Sequence, residues 1–180
     1  MTQPLTIYTI GHSTRSFEEL VAMLNAHGVE KLADVRAFPK SRRFPHFNAE
    51  HLAAELPPRG IAYLPFVSLG GRRRPRPDSI NTGWRNKSFR AYADFMETAE
   101  FARALDELIT AAIRSPTAMM CSEAVPWRCH RSLIADSLIA RGWCVLDIIS
   151  ERKCSQHELP AFARIEGPRV TYPGEPGLFR

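Results

Sequence analysis

The sequence has no run of about 18 consecutive apolar residues, the length a membrane-spanning helix needs. Its first stretch, Met1 to Thr14, lacks a basic segment followed by a long apolar one. Neither membrane insertion nor export is signalled, and the cytoplasm is the expected compartment. Cysteine is scarce: Cys121, Cys129, Cys144 and Cys154 are the whole complement. Without an export signal these four read as free thiols rather than a disulfide framework, so packing or chemistry must account for them. No internal repeat or linker interrupts the chain, and 180 residues would strain to form two independent domains.

An apolar content of 44% and a charged content of 24% are those of an ordinary globular chain. The formal net charge of +5 favours acidic partners such as nucleic acid, nucleotides or phosphorylated metabolites, although charge also serves solubility.

Strand and helix patterns alternate. Leu5 to Ile10 is apolar and β-branched, and Ser16-Phe-Glu-Glu19 fits a capping box opening a helix with Phe17, Leu20, Val21 and Leu24 on one face and Gly28 at its end. Lys31 to Val35 reads as a second strand, Arg36 to Phe47 as a basic loop, and Asn48 as the cap of a helix stopped by Pro57-Pro58. Ile61 to Leu64 is a third strand, followed by a polar, Pro-rich loop from Gly70. Ser88 to Ile113 is helical with a break near Thr98, Thr117 to Met120 is a buried strand, Pro126 to Arg141 is a helix and Trp143 to Ile149 a fifth strand.

This order predicts one α/β domain over 1–180, with a mostly parallel sheet of about five strands, helices on both faces, a core over 1–149 and a C-terminal extension over 150–180. Right-handed crossovers place every strand-to-helix loop on one edge, where open α/β sheets bind ligands. His12, Arg36, the Gly70-Gly71 loop and Cys121 all follow predicted strands, so four separate segments converge there.

Cys121 to Arg131 puts a thiol at a strand end, and Cys129, His130 and Arg131 in the expected first turn of the next helix, where unpaired N–H groups favour a thiolate or a phosphate. The bland alternative is that each cysteine simply packs. Gly11-His12-Ser13 offers close backbone approach, a general acid or base, and a hydroxyl equally suited to capping a turn. Arg36 suits bidentate phosphate binding, or equally an internal salt bridge with Asp34. Between Arg36 and Phe47, Arg36, Lys40, Arg42 and Arg43 interleave with Phe38, Phe44 and Phe47, a pattern for neutralising phosphates and stacking bases or for anchoring the loop. Arg72, Arg73, Arg74 and Arg76 are expected to be solvated.

These residues give the candidate site. His12, Cys121, Glu123 and His130 are the candidates for catalysis, and Gly11, Ser13, Arg36, Ser41, Arg42, Gly70, Gly71, Cys129 and Arg131 those for substrate binding. Cys121, Cys129, His130, His12 and His157 are ligand types for zinc or iron, but their spacing matches no paired-cysteine signature. No metal ligand is assigned and no cofactor expected, a bound metal being the lesser alternative.

Thr9-Ile-Gly-His-Ser13, Asp34-Val-Arg36 with Pro39 and Ser41-Arg42, Leu69-Gly-Gly71, Tyr92-Ala93 with Met96, and Met120-Cys-Ser-Glu123 through Cys129-His-Arg131 together resemble the uncharacterised family catalogued as domain of unknown function 488. The resemblance covers nearly all of the chain up to Ile149, and implies an α/β domain sharing these motifs as its polar surface. Toward the tail the chain departs at Asp147, where many relatives carry a histidine, while His157 matches a later family histidine.

Three functions fit the residues. The first is an enzyme acting on a nucleotide or nucleic acid, with Arg36, Arg42 and Arg131 holding anionic oxygens and His12, Glu123 or Cys121 moving protons or attacking. The second is rhodanese-like sulfur transfer at Cys121, weakened because six residues separate Cys121 from Arg128 and Glu123 repels an anionic substrate. The third is a non-catalytic nucleic-acid-binding module. The residues name no oligomeric state.

Overall fold

A computed structural model describes residues 5–175. Strand β1 (Thr6–Gly11) leads into helix α1 (Phe17–Ala26), and Ser16 caps that helix reciprocally with Glu19, the box that the sequence predicts. β2 (Lys31–Asp34), α2 (Ala49–Glu55) and β3 (Ala62–Pro65) follow. After the long loop come α3 (Lys87–Phe95) and α4 (Ala99–Arg114), separated where Thr98 caps the second by accepting from the Phe101 N–H. β4 (Thr117–Cys121), α5 (Arg131–Ala140) and β5 (Cys144–Ser150) complete the expected elements.

The strands form one sheet in the order β3-β2-β4-β1-β5, all parallel, with β6 (Lys153–Gln156) added antiparallel beyond β5. The expected α/β sheet with helices on both faces is thus present, with six strands rather than five. β6 went unread because Lys-Cys-Ser-Gln is exposed throughout and carries no apolar alternation. β7 (Arg164–Glu166) and β8 (Arg169–Thr171) make a separate hairpin. It turns through Gly167 at φ 60°, a left-handed conformation that favours glycine.

Two cores sandwich the sheet. Leu20, Val21 and Leu24 of α1 and Leu52 of α2 pack with Ile10, Leu32, Ala118 and Met120 on one face. Tyr92 of α3, Phe101, Leu105 and Leu108 of α4, and Leu133, Ile134 and Leu138 of α5 pack with Ile7, Ala33, Met119 and Val145 on the other. Alternation along each strand, seen in Ala118 and Met120 against Met119 and Cys121, makes both faces apolar and buries the sheet. Among the described residues no helix is long and apolar enough to cross a membrane.

Two expectations change. The helix predicted from Pro126 starts at Arg131; Pro126–Arg128 is a single 3-10 turn and Cys129 is extended at φ −128° and ψ 143°. The loop after Gly70, whose arginines are expected to be solvated, is pinned to α3. Asp94 of α3, 4% exposed, accepts from the Arg76 N–H, the Ser79 hydroxyl and the Asn81 amide. Arg73 is not simply solvated, since its guanidinium lies 3.4 Å from the Phe95 ring centroid and donates to Gly70 and Ser68 carbonyls.

The extension folds back on the core through a buried polar cluster. His157 lies between Asp136 of α5 and Asp147 of β5, at 2.8 and 3.3 Å, while the Tyr172 hydroxyl donates to Asp136 at 2.6 Å and the Thr9 hydroxyl donates to Asp147. The departure at Asp147 and the later histidine are therefore partners. Residues 176–180 of the expected extension lie outside the described residues.

Candidate active site

The parallel register brings the ends of β1, β2 and β4 together: Gly11 stands beside Cys121, and Asp34 beside Met120. A cleft of about 660 Å³ opens at this edge. His12, Ser13, Arg36 and Ser41 line it from the β1 and β2 loops, Gly71 from the long loop, and Cys121, Glu123, Cys129 and His130 from the loop after β4. Gly11, Arg42, Gly70 and Arg131, expected to bind substrate, are not among its lining residues.

The cleft floor is a compact sulfur–nitrogen cluster. His130 Nδ1 lies 4.0 Å from Cys121 Sγ and 3.7 Å from Cys129 Sγ. Its Nε2 is 2.9 Å from the Val35 carbonyl, an acceptor, so Nε2 donates there and the ring is held with Nδ1 facing the sulfurs. The kink at Cys129 delivers its sulfur here, since an α-helix running from Pro126 would not give Cys129 an extended backbone. A Cβ on Gly71 would sit 2.6 Å from His130 Nδ1, so this second glycine admits the ring, while the Tyr92 ring stands 5.1 Å from it on centroids. Gly70 permits a different approach, to Ala37 at 2.5 Å. Hydrogen bonding from the Cys129 thiol holds Cys121 well below the ordinary thiol range, helped by His130 and opposed by burial. Cys129 is displaced upward by the same pairing and by its own burial.

His12 is 3% exposed and has both ring nitrogens occupied. Nδ1 is 2.9 Å from the Ser13 carbonyl, and Nε2 is 3.3 Å from Arg36 Nη1, which donates to it. Burial foremost, and the Arg36 charge, lower its pKa, so the ring is neutral near pH 7 and stacks on Phe47 at 4.2 Å. This is a positioned neutral imidazole rather than a free base. Ser13 itself takes φ 50°, the one non-glycine left-handed residue among those described, and its N–H donates to the Ser122 carbonyl at 2.9 Å. Backbone strain of this kind gathers at functional edges.

Arg36 makes the salt bridge that its sequence allowed. Its Nε and Nη2 reach Asp34 at 2.8 and 2.6 Å and Nη2 also donates to the Phe47 carbonyl at 2.7 Å. Arg131 is spent inside the protein. Its guanidinium donates to the carbonyls of Glu123 and Ala124 and to the Thr9 hydroxyl, and the side chain is 1% exposed, so it shapes the loop instead of gripping an anion. Gly11 meets the same loop: a Cβ there would lie 1.9 Å from the Glu123 carbonyl oxygen. Glu123 keeps one carboxylate oxygen on the Val125 N–H at 3.1 Å and faces the cleft.

The charges left for a ligand are at the rim. Lys40, Arg72 and Arg128 line the cleft beside Phe38, which is 64% exposed with the Arg72 guanidinium 4.8 Å above its ring. Ser88 and Phe89, at the start of α3, also line it and were missed by sequence reasoning. The signal available was Asn86, whose side chain accepts from both of their N–H groups.

No curated protein and no solved structure matches the chain. The profile described as Domain of unknown function DUF488 matches residues 16–138, about two thirds of the sequence. The matched segment includes Arg36, Gly71 and the whole Cys121-to-Arg131 loop, leaving Gly11-His12-Ser13 just before it. The chain therefore belongs to the DUF488 family.

Proposed function

We propose that this protein is an enzyme acting on a phosphate-bearing substrate, a nucleotide or nucleic acid, bound in the cleft at the sheet edge. The observation that carries the reading is a rim of Lys40, Arg72 and Arg128 with an exposed Phe38, set over a floor of two thiols and an oriented imidazole. Rim cations neutralise phosphates and an exposed aromatic face stacks on a base. A passive binding module has no need of the floor, where Glu123 adds a carboxylate for proton transfer.

Rhodanese-like chemistry has less support. Such a loop wraps free N–H groups around its anion, whereas here the Arg128 and Cys129 N–H groups donate to Val125 and Pro126 carbonyls, and the Val125 N–H is held by Glu123.

Binding of single-stranded oligonucleotides and nucleoside phosphates, measured against salt, tests the proposal. Affinity is expected to fall steeply with salt, and the slope to flatten by about one unit for each of Lys40→Ala, Arg72→Ala and Arg128→Ala that removes a phosphate contact. Binding that is absent, or unchanged by salt and by all three substitutions, overturns it.

A further inference from the structure

We infer that Cys121 Sγ, Cys129 Sγ and His130 Nδ1 form a three-ligand site for one zinc ion, whose fourth coordination position opens on the cleft. The three donor atoms all lie within 4.8 Å of one another. A tetrahedral ion with Zn–S near 2.3 Å and Zn–N near 2.0–2.1 Å sets sulfur–sulfur and sulfur–nitrogen edges of about 3.5–3.8 Å. The separations of 3.7 and 4.0 Å from Nδ1 are close to those edges. The two sulfurs need to approach by at most about 1 Å.

The second observation is the orientation of the imidazole. Donation from Nε2 to the Val35 carbonyl at 2.9 Å holds the ring with Nδ1 aimed at both sulfurs. Metal-bound histidines are held in this way by an outer carbonyl or carboxylate, which sets the ring angle and raises donor strength. Gly71 keeps the space beside Nδ1 clear, because a Cβ there would lie 2.6 Å from that atom.

Two sulfurs and one nitrogen suit a borderline-soft ion, and hard cations such as magnesium or calcium find no oxygen ligands in the set. Three protein ligands are one short of a closed structural site. All three residues line the cleft, so the open position faces the space assigned above to the substrate. There zinc polarises a water or a phosphate oxygen. The zinc site rests on the donor geometry alone; only its use on a phosphate rests on the proposed function.

The test uses the full chain carrying Cys144→Ser and Cys154→Ser, which removes the two thiols outside the cluster. Chelator-treated protein is titrated with zinc and, separately, with cobalt(II), without substrate. One zinc per chain is expected, with a raised melting temperature and, for cobalt, the visible bands and thiolate charge transfer of a tetrahedral two-sulfur site. His130→Ala should lose the stoichiometric site. Gly71→Ala, which leaves every ligand in place but crowds Nδ1, should weaken it about 10–100-fold, the effect of disturbing ligand orientation. Folding of each variant is checked by circular dichroism, and Gly71→Ala keeps the test decisive if His130→Ala does not fold. Absence of stoichiometric zinc, a six-coordinate cobalt spectrum, or unaltered zinc affinity in a folded variant overturns the site. Oligonucleotide binding is measured separately, so a failed zinc titration with salt-dependent binding intact rejects the metal without rejecting the substrate class.

Discussion

Raising the pH from about 6 to about 10 is expected to remove about 3 kcal/mol of stability through His157 alone. Burial opposes charge on this imidazole, yet Asp136 and Asp147 on either side outweigh it and raise its pKa from 6.5 to about 9. The groups facing the cluster are the carboxylates of α5 and β5, the Tyr172 hydroxyl on Asp136 and the Thr9 hydroxyl on Asp147. The folded pKa is above the unfolded one, so the stabilisation is complete below the unfolded value of 6.5 and disappears as pH rises through about 9. A difference of about two and a half units at about 1.4 kcal/mol each gives the magnitude, or roughly 6–12 °C in melting temperature for a chain of this size. Urea unfolding of the wild type and of His157→Gln should be followed across this range. The variant is less stable at low pH because two buried carboxylates lose their cation, and the gap between the curves should narrow by about 3 kcal/mol toward high pH. Asp147→Asn, which keeps one carboxylate, should move the upper end of the window downward. Parallel curves for wild type and His157→Gln would refute the assignment.

Gly11→Ala is expected to cost at least about 3 kcal/mol, because its Cβ would overlap the Glu123 carbonyl and only a backbone shift relieves the clash; an unchanged urea midpoint would contradict the close approach. Arg131→Met should cost about 3 kcal/mol or more by stranding the Glu123 and Ala124 carbonyls and Thr9. If Arg131 held substrate instead, the variant would lose nucleotide affinity at unchanged stability, so melting and binding measured together decide between the roles.

The local sequence determined most of the elements. Ser16 and Glu19, four apolar residues at helical spacing and a β-branched run before them specify β1 and α1 without help from the rest of the chain, because caps and periodicities are short-range. The same holds for the five parallel strands and for the break at Thr98. Placing His12, Arg36 and Cys121 at one edge also followed from sequence, since crossover handedness puts strand-to-helix loops together. Tertiary structure decided what each polar group does there. The order β3-β2-β4-β1-β5-β6 sets Cys121 beside Gly11 and brings the loop carbonyls of Glu123 and Ala124 onto Arg131. It turns Arg36 toward Asp34 and His12, and the folded-back tail places His157 between two aspartates. An arginine, a cysteine or a histidine carries no local mark of its partner. Whether it meets a ligand, a carbonyl or another side chain depends on which distant segments pack beside it, and that is settled only when the sheet and its two cores assemble.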